Sequence, residues 1–146
     1  MMLFTQAKGL PVITAEEAES LGRVESLTID ARTGNIACLR LSGASEHPRV
    51  IVWDAVEGMG RDAVIVRSRA AADPSRRALP DHQEALGHRV LTEHGATHGT
   101  VKDIAFDGTT GAVLTLYTAL GDISGDRLIG LGSYAVVVCD EPVRQE

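Results

Sequence analysis

The side chains able to do acid–base or metal chemistry in this chain are five histidines, twenty carboxylates and two cysteines. Three of the histidines, His88, His94 and His98, fall close together, with Glu93 beside His94. Imidazole and carboxylate are ordinary zinc ligands, and His94 and His98 would share a face if the segment were helical. The run Thr92-Glu-His-Gly95-Ala-Thr-His-Gly99 reads instead as a hairpin turn, punctuated by glycines. Across a tight turn the two rings could approach each other, with His88 near in sequence. A metal site needs three or four ligands held by ordered partners. No metal is therefore assigned, and the histidines are expected on an exposed turn. Asp103 and Asp107 form a carboxylate pair four residues apart, but Asp107 opens a turn and is expected to be used there.

Two further patterns imitate binding motifs. Gly58-x-Gly60-x-x-Ala63 and Gly130-x-Gly132-x-x-Ala135 have the spacing of a dinucleotide fingerprint. That fingerprint works only where a strand leads into a helix whose N-terminus faces the phosphates. Here a valine-rich run follows each, so both are read as turns into a last strand. No Gly-x-Ser-x-Gly elbow is present. The chain is read as non-enzymatic, with no catalytic residue, cofactor or metal. Cys38 and Cys139 each end or interrupt an apolar run and are read as free, buried, small hydrophobes. Trp53, the sole tryptophan, stands out as a candidate for protein contact, together with Asp54 and Glu57. Its competing reading is a partly buried plug of the surrounding unit.

These residues must be positioned by elements, and the elements are written twice. Gly22-Arg-Val24-Glu-Ser-Leu27-Thr-Ile29-Asp30-Ala-Arg-Thr33-Gly34-Asn-Ile36 returns, without a gap, as Gly99-Thr-Val101-Lys-Asp-Ile104-Ala-Phe106-Asp107-Gly-Thr-Thr110-Gly111-Ala-Val113, 77 residues on (99 − 22). Gly58 to Val66 returns as Gly130 to Val138, now 72 residues on (130 − 58). An internal repeat sets the architecture. It implies two similar units, residues 7–69 and 84–140, joined by a linker at 70–83 with two prolines and a charged, small-residue composition. Units this small bury little core alone, so they are expected to share an interface, or the chain to form a homodimer.

Within each unit the signals are for β structure. Leu27 and Ile29 alternate, but Val24 falls on the opposite phase, and Val101, Ile104 and Phe106 repeat the slip. A β-bulge at Glu25-Ser26 and at Lys102-Asp103 would turn all three inward and bend the strand. Asp30 to Gly34 and Asp107 to Gly111 read as hairpin loops: the aspartates accept backbone N–H bonds and the glycines take the left-handed conformation. After the loop, Ala37, Leu39 and Leu41 are expected on one face and Ile36, Cys38 and Arg40 on the other, with Leu114, Leu116 and Thr118 opposite Val113, Thr115 and Tyr117. The continuous apolar runs Ala63 to Val66 and Ala135 to Val138 suggest strands buried on both sides. Five residues are missing from the second unit between its two anchor motifs. They are expected to be a helical turn at Trp53, absent from the second unit.

In order and repetition these motifs resemble the PRC-barrel family. The second unit carries the pattern most fully, in Gly87-His-Arg-Val90, Gly99-Thr-Val-Lys-Asp103-Ile-Ala-Phe-Asp107 and Thr110-Gly111. The first departs from it at Glu25-Ser26. The resemblance implies an all-β protein of two tandem small barrels, five or six strands each. It transfers no catalytic residues, because the family shares no active site, and it implies an adaptor or assembly role with an unknown protein partner. A ribosome- or RNA-processing role, or a peripheral place in a photosynthetic or other membrane complex, are the alternatives by analogy.

Composition bounds these readings. Fourteen basic and twenty acidic residues give a net charge of −6, which disfavours direct nucleic-acid contact. The closest approach to a basic cluster is Arg67, Arg69, Arg76 and Arg77, read as a solvated face around the linker. Aromatics are 3% of the chain, so the core must be aliphatic. No apolar run is long enough to span a bilayer and the first residues do not form a secretory signal, so a cytoplasmic protein without membrane insertion is expected.

Overall fold

The structure is a computed structural model that describes residues 1–42, 49–69 and 85–139. The expected linker at 70–83 and the tail at 141–146 lie outside the described residues. The chain opens with a short arm, β1 (Met2–Leu3) and a single helical turn, α1 (Phe4–Ala7). A first sheet follows: β2 (Pro11–Thr14), β3 (Ser20–Asp30), β4 (Asn35–Ser42), β5 (Arg49–Val52), a 3-10 turn at Trp53–Ala55, β6 (Val56–Met59) and β7 (Val64–Val66). The second sheet holds β8 (Arg89–Thr92), β9 (Thr97–Phe106), β10 (Val113–Thr118) and β11 (Gly121–Ser124). A 3-10 turn at Gly125–Arg127 then leads to β12 (Leu128–Leu131) and β13 (Ala135–Val138).

The strand orders correspond, β5-β4-β3-β2-β7-β6 in the first sheet and β11-β10-β9-β8-β13-β12 in the second. In each, one pair is parallel, β2 with β7 and β8 with β13, and the remaining ladders between these strands are antiparallel. The expected all-β class holds, but the expected closed barrels do not form. In each sheet the two outer strands follow one another in the chain and share no ladder. Residues Trp53–Ala55, set between extended Val52 and Val56, turn the chain off β5, so β6 pairs with β7 at the far edge instead. Gly125–Arg127 does the same between β11 and β12.

That second turn corrects another expectation. The turn at Trp53 is not missing from the second sheet. The five lost residues come from the hairpin before it: seven residues separate Leu41 from Arg49, and two separate Thr118 from Gly121.

The bulges lie where the sequence places them. The register of β3 against β4 shifts between Val24 and Ser26, and that of β9 against β10 between Val101 and Asp103. Glu25 and Lys102, the inserted residues, are exposed. Val24, Leu27 and Ile29, and likewise Val101, Ile104 and Phe106, all reach the core. A second shift overturns the expected faces of β4 and β10. It inserts Ala37 and Leu114, so Ile36 and Val113 turn inward while Leu114 is 40% exposed. The last strands are buried on one face rather than two: Ile65 and Val137 stay half-exposed between buried neighbours.

One hydrophobic cluster takes in residues from both sheets, from Leu27 and Leu39 to Leu116 and Val136. The seam is reciprocal. The Ile36 N–H donates to the Gly111 carbonyl at 2.8 Å, and the Val113 N–H donates to the Gly34 carbonyl at 2.9 Å. Between them Asn35 bridges Ala112. At the 77-residue offset Asn35 thus meets its own counterpart, and Ile36 and Val113 each meet the counterpart of the residue two before them, the pattern of a two-fold contact. The arm crosses the same seam. β1 precedes the first sheet but pairs with β9 of the second, Met2 opposite Phe106 and Leu3 opposite Ala105. Phe4 is fully buried edge-on to Phe106, ring centroids 5.5 Å apart. Asp103 secures the arm by accepting the Thr5 N–H at 3.2 Å and the Thr5 hydroxyl at 2.6 Å.

Candidate interaction groove

The two expected turns form as the sequence requires. Asp30 Oδ1 accepts the Arg32 N–H at 3.0 Å, and the Gly34 N–H donates back to the Asp30 carbonyl at 2.9 Å. Asp107 Oδ1 accepts the N–H groups of Thr109 and Thr110 at 2.7 and 3.2 Å, and the Gly111 N–H donates to the Asp107 carbonyl. These two bonds favour the charged carboxylate and hold Asp107 below the ordinary carboxylate range. Gly34 and Gly111 adopt φ of +74° and +81°, the left-handed region. Both glycines lie on the seam, so the turns are part of the contact between sheets.

The three residues expected to form one contact surface are divided by the fold. Trp53 is half-buried and its ring is occupied by the opposite sheet: it stands edge-on to Phe106, centroids 6.3 Å apart at 88°. A methyl group on Gly111 would lie 2.7 Å from the indole Nε1, so Gly111 leaves the space the ring fills. Trp53 and Asp54 share a shallow hollow of about 370 Å³ with Asp30 and Thr110. Glu57 is exposed and points elsewhere, bonded to Arg67 at 3.0 Å.

Glu57 lines a larger groove of about 760 Å³ along the seam. One wall is the arm, with Met1, Met2 and Gln6; another is residues 56–61 of the β6–β7 hairpin; the third is the turn at 107–109. The chain has three methionines, and Met1, Met2 and Met59 all reach this groove. Its volume falls in the range of about 300–1,000 Å³ typical of ligand sites. The sequence reading missed it because its walls come from three separate segments. The Met-Met start was visible, but nothing local tied it to Met59.

The glycine-rich motifs close hairpins. Gly60 N–H donates to the Ala63 carbonyl at 3.0 Å and Gly132 N–H to the Ala135 carbonyl at 3.1 Å, and a strand follows each. His94 is exposed on the β8–β9 turn, while His88 and His98 are half-buried. The Nε2 atoms of His88 and His98 are enclosed without a hydrogen-bond partner among the described residues. Among the described residues no three His, Cys, Asp or Glu side chains gather into a set that could hold a metal ion. Cys38 is buried, its sulfur 2.9 Å from the Thr28 hydroxyl. Cys139 is only half-buried, contrary to expectation, because it follows the last residue of β13. Desolvation, then the Glu93 carboxylate, push its thiol pKa up. Among the described residues no helix is long and apolar enough to cross a membrane.

The first sheet, its turn at Asp30 and the arm lie within a stretch with a known counterpart. Residues 1–72 match the PRC-barrel domain. The PRC-barrel match takes in the arm, the β3–β4 turn and the β6–β7 hairpin, but not the turn at 107–110 that completes the hollow and the groove, and it supports a small β-domain of protein-interaction type at most. No curated protein matches the chain.

Proposed function

We propose that this chain is a non-enzymatic, cytoplasmic protein-binding module, an adaptor or scaffold made of two PRC-barrel-type copies. The copies are residues 7–69 and 84–140, related by the internal repeat, with 70–83 as linker. The shared strand order, the paired bulges and the reciprocal seam support this reading. The observation that carries the binding role is the groove of about 760 Å³, open to solvent and lined by flexible thioethers beside a sheet edge. Methionine adapts its shape to varied partners, and sheet edges offer unpaired backbone groups. The partner-facing surface is the groove, with Glu57 in its lining, while Asp54 lies in the separate hollow. Trp53 supports it from behind rather than by direct contact.

The test is capture of a partner on the tagged full chain from its own cells, followed by binding to the purified partner at physiological salt. A partner that binds at micromolar affinity or tighter supports the reading. A folded bait that recovers no protein above a control bait sinks it.

A further inference from the structure

Three features of the groove have no explanation in the packing of the fold. First, β6 is the outer strand of its sheet, hydrogen-bonded to β7 alone, and β1 is bonded on one side to β9. Two strand edges therefore flank the groove. Second, Gly58 and Gly60 do not need to be glycine for the fold. Neither has a positive φ. A methyl group on Gly58 would meet the Ile65 side chain at 3.7 Å, and one on Gly60 the Ala63 carbonyl at 3.6 Å, both ordinary contacts. Gly22 and Gly125, by contrast, are needed: a methyl group on Gly22 would strike the Ser42 carbonyl, and one on Gly125 the Val113 carbonyl. What Gly58 and Gly60 provide is a strand edge whose backbone is not covered by side chains. Third, the acidic groups of the groove are already engaged while a cation remains. Glu57 is paired with Arg67, and Asp107 holds two backbone N–H groups. Arg61 is exposed in the lining, with no ion pair found among the described residues, and Asp62 beside it lies outside the lining.

We propose that the groove takes an extended peptide strand from a partner, which adds to the edge of β6. This rests on the protein-binding reading and specifies its chemistry. The peptide supplies main-chain hydrogen bonds to residues 56–59 and apolar side chains at alternate positions against Met1, Met2 and Met59. It places a carboxylate, from an acidic side chain or its own C-terminus, opposite Arg61. Strand addition of this kind takes affinity from the backbone and specificity from alternate side-chain positions. The methionines make the apolar positions tolerant, so the carboxylate and the extended form carry most of the selection.

The test uses a library of random linear peptides displayed on phage and selected on the immobilised full-length protein. The strongest binders are synthesised, and their affinity is measured by fluorescence anisotropy. Amide exchange of the protein is recorded with and without them. Enriched peptides should carry alternating apolar residues and a carboxylate. They should slow exchange at Val56–Met59, and Arg61→Glu should weaken them roughly tenfold. Arg61 is exposed, so the variant is expected to keep the wild-type circular dichroism and melting curve. Should it not, exchange on the wild-type protein decides alone. Binding without protection at Val56–Met59 overturns the proposal, as does failure to enrich any peptide. Neither outcome touches the adaptor reading, which stands or falls on capture of a whole protein partner.

Discussion

Trp53 begins the 3-10 turn of the first sheet, and Gly125 begins the same turn of the second. The two sheets share strand order, bulges and hairpins, yet at this position one carries the largest side chain and the other none. The consequence is visible on both sides of the seam. Trp53 reaches across to Phe106 and fills the space above Gly111. At Gly125 the backbone lies so close to Val113 that no side chain fits. Phe106 itself stands where the first sheet has Ile29, and Phe4 packs on it from the arm. The seam is thus two-fold in its backbone and one-sided in its side chains. A reciprocal frame fixes the geometry, and one aromatic cluster of Phe4, Trp53 and Phe106 supplies apolar burial on one side of it. The edges differ in the same sense: Glu57 of β6 corresponds to Ile129 of β12, which is 47% exposed.

The comparison can be broken most forcefully at the tryptophan. Trp53→Ala should destabilise the protein by about 3 kcal/mol, the lower end for a large aromatic because the ring is half-buried. Urea unfolding followed by circular dichroism measures it. A loss below about 1 kcal/mol would mean that the cluster does not hold the sheets.

The paired glycines sharpen the contrast next. Gly34→Ala and Gly111→Ala both place a side chain at positive φ, which costs each about 1–2 kcal/mol. Space around Gly34 is open, while at Gly111 the new methyl meets the indole. Gly111→Ala should therefore cost about 1 kcal/mol more than Gly34→Ala, by overpacking. Equal costs in urea would contradict the seam geometry.

A smaller effect separates Asp103 from its counterpart Ser26. Asp103→Ala removes the two bonds to Thr5 and should cost about 1 kcal/mol. It should also speed amide exchange in the arm. Ser26→Ala holds no arm and should leave that exchange unchanged.

The smallest effect is a dependence on acid. The backbone N–H bonds from Thr109 and Thr110 hold the folded pKa of Asp107 below its ordinary value of 3.8. Its contribution is therefore complete above that value and is lost as the pH falls through the folded pKa. Melting temperatures recorded into acid should fall more steeply for the wild type than for Asp107→Asn. Identical slopes would remove the Asp107 turn from the account.

Much of the frame was legible because its causes are local. The phase slip at Val24 and Val101 announced the bulges, since only an inserted residue brings three apolar side chains to one face. The Asp-to-Gly turns were legible from side chains that bond their own backbone. The second bulge was not, because Ala37 and Leu114 fit either face of a strand and alternation gave no sign of the shift. Barrel closure was misjudged for a related reason: the ladder stops where a 3-10 turn redirects the chain, and short strands of similar composition do not reveal it. The arm was illegible altogether. Two residues of strand carry no period, and their partner is a hundred residues away, Met2 opposite Phe106. The groove inherits that difficulty, since the arm forms one of its walls.

The central claim is that the two sheets form one cooperative body sealed at Trp53. The tryptophan is the sole one in the chain and sits on the seam, so its fluorescence reports the seam while circular dichroism reports both sheets. Urea unfolding followed by both signals on one sample should give a single transition with coincident midpoints. A fluorescence change that is complete while the strand signal persists would show sheets that separate before they unfold, and would contradict the account.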